Sequence, residues 1–399
     1  MKFNKLGKIA MAAGMSLAMT LGFTACSRDY VAAYVYAPSY TNGKISAFAV
    51  DYQTGILTQV SGSPFTASWA TGTSRVIASP DSKYLYAIGA DQVAQVEVFS
   101  IGTDGKLYGV QTQDFSSLGT YATGSAMDST GKFLYVTYRY QAGYGPSSYG
   151  PGGVSIYPID TSTGKLGTPT NVALAYTPVG ISVTVPVSYN GNSVFVYVAQ
   201  QISQTTTSGI VTEYQQNRTT GALTAIGSIA AGVNPSFIIT EPSARFTYVS
   251  DKTSNLIYGF QASSSGVLTS IVNNNYTTGL YPVSMTIDPR GKYLYVANYN
   301  ASTVSGYTIN ASSGELGGIA SSGSFTTQTG PNCVTVDPAI GNYLYTSNYL
   351  DNSISGAQLR SEDGTLTAVA NSPFTGVTQP NCITSVANGS HADSYVYPK

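Results

Sequence analysis

The chain has 399 residues, of which only 9% are charged: 18 Lys and Arg against 19 Asp and Glu, a formal net charge of −1. With no excess of cations there is no basic field to hold nucleic acid. The remainder is rich in Tyr, Ser, Thr, Asn and Gly, a composition that suits an exported protein.

In chain order, Lys2, Lys5 and Lys8 come first, then an apolar run from Ile9 to Phe23 and the small residues Thr24 and Ala25 ahead of Cys26. A charged start, about fifteen apolar residues and a small-residue end are the plan of a bacterial export signal, whereas a membrane span needs about twenty. Small residues directly before a cysteine resemble a lipobox. That implies a diacylated Cys26 as the mature N-terminus, and a protein anchored by lipid to a membrane in the periplasm or at the cell surface. Ordinary cleavage, leaving a soluble secreted protein, is the alternative. The expected layout is a lipoprotein signal peptide over 1–25, a short linker over 26–32 and one folded domain over 33–399. Without the three leader lysines the formal charge falls to −4.

Beyond the linker a unit repeats. A tyrosine preceded by Val, Leu or Thr stands at Tyr36, Tyr86, Tyr135, Tyr197, Tyr248, Tyr295 and Tyr345, at steps of 50, 49, 62, 51, 47 and 50 residues. Each is followed by a glycine two residues before a leucine: Gly55, Gly105, Gly164, Gly221, Gly266, Gly314 and Gly364. Alternation with period two around each tyrosine predicts a strand, and the glycine permits φ > 0 in a tight turn. Each copy has another strand pattern upstream, so the copy around Tyr295 reads as A (Pro282 to Ile287), B (Tyr293 to Asn298), C (Thr303 to Ile309) and D from Leu316. Seven such copies predict an all-β, seven-bladed β-propeller. The first copy lacks strand A, and Gln379 to Ser385 matches Gly330 to Val336, the strand A of the last full copy. The C-terminal strand therefore completes blade one and closes the ring. Tyr395 to Tyr397 competes with Tyr34 to Tyr36 for strand B of that blade.

Loops from D to A and from B to C share one face of such a disc. The two longest copies carry their extra residues in B to C loops, 139–153 in blade three and 200–208 in blade four, so both crown that face. The channel mouth is expected to gather Cys382, Arg75, Gly124, Gly180, Phe237, Ser284 and Cys333, with Asn332 and Asn381 beside them. The strand B ends add Tyr138, Gln200, Asp251, Asn298 and Asn348. Tyr140, Tyr144 and Tyr149, next to Arg139, offer stacking faces to a sugar or a protein surface. Cys333 and Cys382 hold one register in blades that ring closure makes neighbours, which leaves a disulfide and two free thiols both open. Asp128, Asp288 and Asp337 fall at A to B turns, where aspartate is structural. The one histidine, His391, is placed in a solvated loop on the opposite face.

The stretch DPRGKYLYVAN, Asp288 to Asn298, and the repeats around it resemble the lactonase family of seven-bladed propellers. That family includes bacterial 6-phosphogluconolactonase and the fungal muconate cyclases; the repeats equally resemble the YVTN repeat of surface propellers. The resemblance spans residues 31–399 and implies the fold and, for the enzymes, lactone chemistry. Those enzymes typically place Arg-His after a proline on an inner strand and end strand B in Asn-Glu. Here the stretches beginning at Pro178, Pro235, Pro282, Pro331 and Pro380 contain no histidine, and the glutamate position holds Tyr40, Ala90, Arg139, Gln201, Lys252, Tyr299 and Tyr349. Lactone hydrolysis needs a group to activate water and another to stabilise the oxyanion, for which Asp251 and Arg75 are the candidates. No carboxylate joins Asn332 and Asn381 toward calcium, and zinc spacing and phosphate loops are missing, so neither metal nor cofactor is expected. The expected function is a monomeric binding or scaffold module for a glycan or protein. Its ligand-binding candidates are Tyr138, Arg139, Tyr140, Tyr144, Tyr149, Asn298, Asn332, Asn348 and Asn381; the alternative is hydrolysis of a small sugar lactone.

Overall fold

Each tyrosine-centred repeat forms one antiparallel sheet in the computed structural model, which describes residues 31–69, 71–146, 151–202, 208–319 and 324–389. The leader, Cys26, Tyr149, His391 and Tyr395 to Tyr397 lie outside the described residues. In blade six the inner strand Pro282–Ile287 pairs with Tyr293–Asn298, then Thr303–Ile309, then the outer Leu316–Gly318. Tyr295 stands opposite Thr286 on one side and Gly306 on the other. Blade one takes Val31–Pro38, Lys44–Asp51 and Leu57–Gln59 from one end of the chain and its inner strand Thr384–Ala387 from the other. Tyr34 faces Val386 and Tyr36 faces Thr384, so the N-terminal segment supplies strand B. The inner strands touch in order around an axis, and the one at Pro331–Val336 meets Thr384–Ala387 to close the seven-bladed propeller.

The hydrophobic core is divided among the seams between blades. Between blades five and six, Phe246, Tyr248 and Ile271 meet Met285, Leu294 and Val296; comparable clusters fill the other six seams. A strand B is thus covered on both sides, which is why Leu294, Tyr295, Val296 and Ala297 form an unbroken buried run.

The two repeated residues meet across a seam. The Tyr295 hydroxyl donates to the carbonyl of Gly364 in blade seven, and the same bond joins Tyr36 to Gly105, Tyr86 to Gly164, Tyr135 to Gly221, Tyr197 to Gly266 and Tyr248 to Gly314. Tyr345 donates to Gly55 and completes the circle, with all seven bonds between 2.7 and 3.0 Å. Each glycine also has positive φ and lies under an aromatic ring of the preceding blade. At Gly314, with φ 72°, a Cβ would enter the ring of Phe246.

The face of A to B turns is fastened by carboxylates. Asp288 Oδ1 accepts the amides of Lys292 and Tyr293, each at 2.7 Å, while Asp128 accepts that of Phe133 and Asp337 that of Tyr343. At the throat of the channel, Cys333 and Cys382 are joined by a disulfide with Cα atoms 4.8 Å apart, which ties the returning C-terminal segment to blade seven.

Candidate functional site

The expected throat ring is assembled in the order read from the repeats. Cys382 bridges to Arg75, the backbones of Gly124 and Gly180 approach closely, Gly180 abuts Phe237, and Ser284 Oγ lies 3.6 Å from Cys333 Sγ. Arg75 is its one charged member. Its Nη2 donates to the Thr123 carbonyl at 2.9 Å, while Nε is buried with no partner, and burial lowers the guanidinium pKa to about 10.

The strand B ends turn inward, away from the mouth. Tyr138, Gln200, Asp251, Asn298 and Asn348 are all buried. Asp251 Oδ2 accepts the amides of Val233 and Asn234, and its Oδ1 those of Thr253 and Ser254. It is a loop clamp with its lone pairs occupied, in place of the expected base. Asn298 donates to Thr303 and Ser305, Asn348 to Ser353 and Ser355, and the Tyr138 hydroxyl to Asn171. Tyr140 was expected in a loop. Strand B of blade three instead runs Phe133–Gln141, so Tyr140 is buried, with its ring 5.3 Å from that of Tyr121. Tyr138 and Tyr140 thus serve packing rather than ligand contact, whereas Arg139 and Tyr144 are exposed. Asn332 Nδ2 donates to Asn381 Oδ1 at 2.5 Å across the closing seam. Arg75 stands in blade two and engages the Thr123 carbonyl on the inner strand of blade three, whereas Asp251 stands in blade five and holds the amides of its own flanking loops.

One residue further along, the side chains reach the mouth. The amides of Ala90, Lys252, Tyr299 and Tyr349 each donate to the carbonyl of the residue ahead of the adjoining inner strand, and that of Tyr40 to Gln379 ahead of Pro380, at 2.8 to 3.1 Å, which fixes a common register. Arg139 and Gln201 hold that place in blades three and four. Tyr40 and Tyr349 meet edge to face at 6.0 Å, and Tyr281 and Tyr299 meet at 6.2 Å. The Lys252 ammonium lies 5.9 Å from the centre of the Tyr281 ring. Burial lowers the Lys252 pKa and the charge of Arg139 lowers it further, with Asp251 acting in the opposite sense. The Tyr40 hydroxyl donates to Asp91 at 2.7 Å. In the sequence these positions register only as replacements for a glutamate. The overlooked signal is that one column of the repeat holds three tyrosines and two cations.

Two rim tyrosines sit in left-handed backbone, Tyr121 at φ 61° and Tyr281 at φ 59°, where blade seven has Gly330 at φ 68°. For a non-glycine residue that conformation costs about 1–2 kcal/mol. Both side chains remain partly exposed.

The sequence matches the family described as lactonase, seven-bladed β-propeller, over residues 34–182 and 195–335. No curated protein matches it. Among solved structures, it is similar to a candidate 6-phosphogluconolactonase of Bacteroides fragilis, at 18% identity and TM-score 0.70, covering 90% of this chain and 99% of the other. It is likewise similar to the periplasmic gluconolactonase of Pseudomonas aeruginosa, at 15% identity and TM-score 0.70, covering 89% and 99%. A functionally unknown protein of Desulfotomaculum acetoxidans aligns at 15% identity and TM-score 0.66, covering 89% and 99%. At these identities the likeness is one of fold.

Proposed function

Starting from a chain that belongs to the lactonase family of seven-bladed β-propellers, we propose that it binds a glycan at the channel mouth. The observation that carries this reading is the pair of partly exposed tyrosines, Tyr121 and Tyr281, in left-handed backbone. Strain of that kind persists where the surrounding structure imposes it and concentrates at ligand sites. Tyr40, Tyr299 and Tyr349 extend the aromatic rim, and flat, half-exposed rings suit the C–H faces of sugars. The protein acts outside the cytoplasm, anchored by lipid on Cys26: the leader pattern supports export, and the Cys333 to Cys382 disulfide suits an oxidising compartment.

The test is a glycan array probed with the mature protein. Capture that falls at least tenfold in Tyr281→Ala and in Tyr349→Ala is the expected result, and capture indifferent to both substitutions overturns the reading. Hydrolysis of a sugar lactone is the second reading, supported by Arg75, the charged member of the throat ring, whose guanidinium suits an oxyanion. Turnover of an aldonolactone that Arg75→Ala abolishes would make that reading the better one. Mass spectrometry of the mature N-terminus decides the anchor: an unmodified peptide running through Cys26 excludes it.

A further inference from the structure

Charge is distributed unequally between the two faces. Among the described residues every ion pair lies on A to B or C to D turns: Asp81 with Lys83, Asp104 with Lys106, Asp288 with Arg290, and Arg360 with Glu362 and Asp363. Around the channel, Arg75, Arg139 and Lys252 form no ion pair with any described carboxylate. Among the described residues three acidic groups stand at the strand B ends and B to C loops of that face and each is engaged locally, Asp351 by the Ser353 hydroxyl. Asp91 accepts the Tyr40 hydroxyl, and Asp251 is filled by four amides. Arg139 and Lys252 share one register position and are near enough for the first to depress the ammonium of the second. Two cations so placed repel each other, and the charge of Asp251, which favours the Lys252 ammonium, is outweighed by burial and Arg139 together. Beside them stands the aromatic wall of Tyr281, Tyr299 and Tyr349, on which Lys252 already lies.

Resting on the glycan reading above, we infer that the mouth takes a saccharide bearing a carboxylate, a uronic acid residue, with its ring on the tyrosine wall and its carboxylate between Arg139 and Lys252. A carboxylate has two acceptor oxygens and can take one charge-assisted hydrogen bond from each cation. Arg75 lies deeper and adds a third positive charge at the throat.

Calorimetric titration of the mature chain with hexagalacturonate and hexamannuronate, each beside its methyl ester, tests this directly. Esterification keeps the sugar faces and removes the charge. The expected result is that at least one acid binds about tenfold or more tighter than its ester, a margin typical of a charge-assisted hydrogen bond. Arg139→Gln and Lys252→Gln each bring the affinity for the acid down toward that of the ester, and Lys252→Arg restores it. An unchanged thermal transition in these variants shows that the fold is intact. Equal affinity for acid and ester overturns the inference and leaves the glycan reading standing, as does acid binding that both glutamine variants preserve. Failure of acids, esters and every array glycan to bind removes both.

Discussion

On the face of A to B and C to D turns, one blade foretells the next: Gly314 lies under Phe246 as Gly364 lies under Tyr293, and Asp128, Asp288 and Asp337 each hold the first amide of a strand B. On the face of D to A and B to C loops, a single register position passes through Tyr40, Ala90, Arg139, Gln201, Lys252, Tyr299 and Tyr349. The first face is fixed by what every seam requires, a glycine without Cβ and a carbonyl for the neighbouring tyrosine. The second is free of that requirement, and its variation is where recognition can be written.

Substitutions can break this division. Gly314→Ala should be the most damaging, because it combines left-handed backbone with a Cβ inside the Phe246 ring; a loss of about 3 kcal/mol is expected in urea denaturation. Gly143→Ala, on the mouth side, also has positive φ but meets no neighbour, and should lose only about 1 kcal/mol. Equal losses would mean that the seam contact contributes nothing. Tyr295→Phe leaves the Gly364 carbonyl without its donor and should lower stability by about 1–2 kcal/mol with glycan capture intact. Tyr281→Gly should do the reverse, raising the melting temperature through about 1 kcal/mol of relieved strain while capture falls.

The smallest effect is on pH. Lys252 has a lowered pKa, so in the folded protein it gives up its proton at a lower pH than a free lysine does. Between the folded and unfolded pKa values the unfolded chain binds more protons, and stability therefore gains slightly as pH rises through that alkaline window. Affinity for an acidic saccharide should decline over the same window, and Lys252→Arg should remove the decline. Affinity that holds constant until the ordinary lysine range would contradict the assigned environment.

The ring and its closure were legible because tyrosine and glycine recur at nearly constant steps and a fragment of strand A stands at the wrong end of the chain. The partnership between those residues was not. Tyr295 and Gly364 are 69 residues apart, and nothing local distinguishes a glycine that only turns the chain from one that also receives the next blade. The mouth was misread by one position. Asp251, Asn298 and Asn348 look like ligand groups, yet alternation along an extended strand sends them to loop amides and hydroxyls, and delivers Lys252, Tyr299 and Tyr349 to the opening. Tyr140 shows the same ambiguity, since whether the strand ended at Tyr138 or at Gln141 decided which way it faced.

The bond from Tyr345 to Gly55 spans 290 residues, and Val31–Pro38 receives its inner neighbour only from Thr384–Ala387. A nascent chain consequently carries an open strand edge from the first blade it makes until Thr384–Ala387 emerges. A copy released before Thr384 would hold six finished blades and still offer that edge to the matching segment of another molecule, a route to polymers that synthesis of the final strand shuts off.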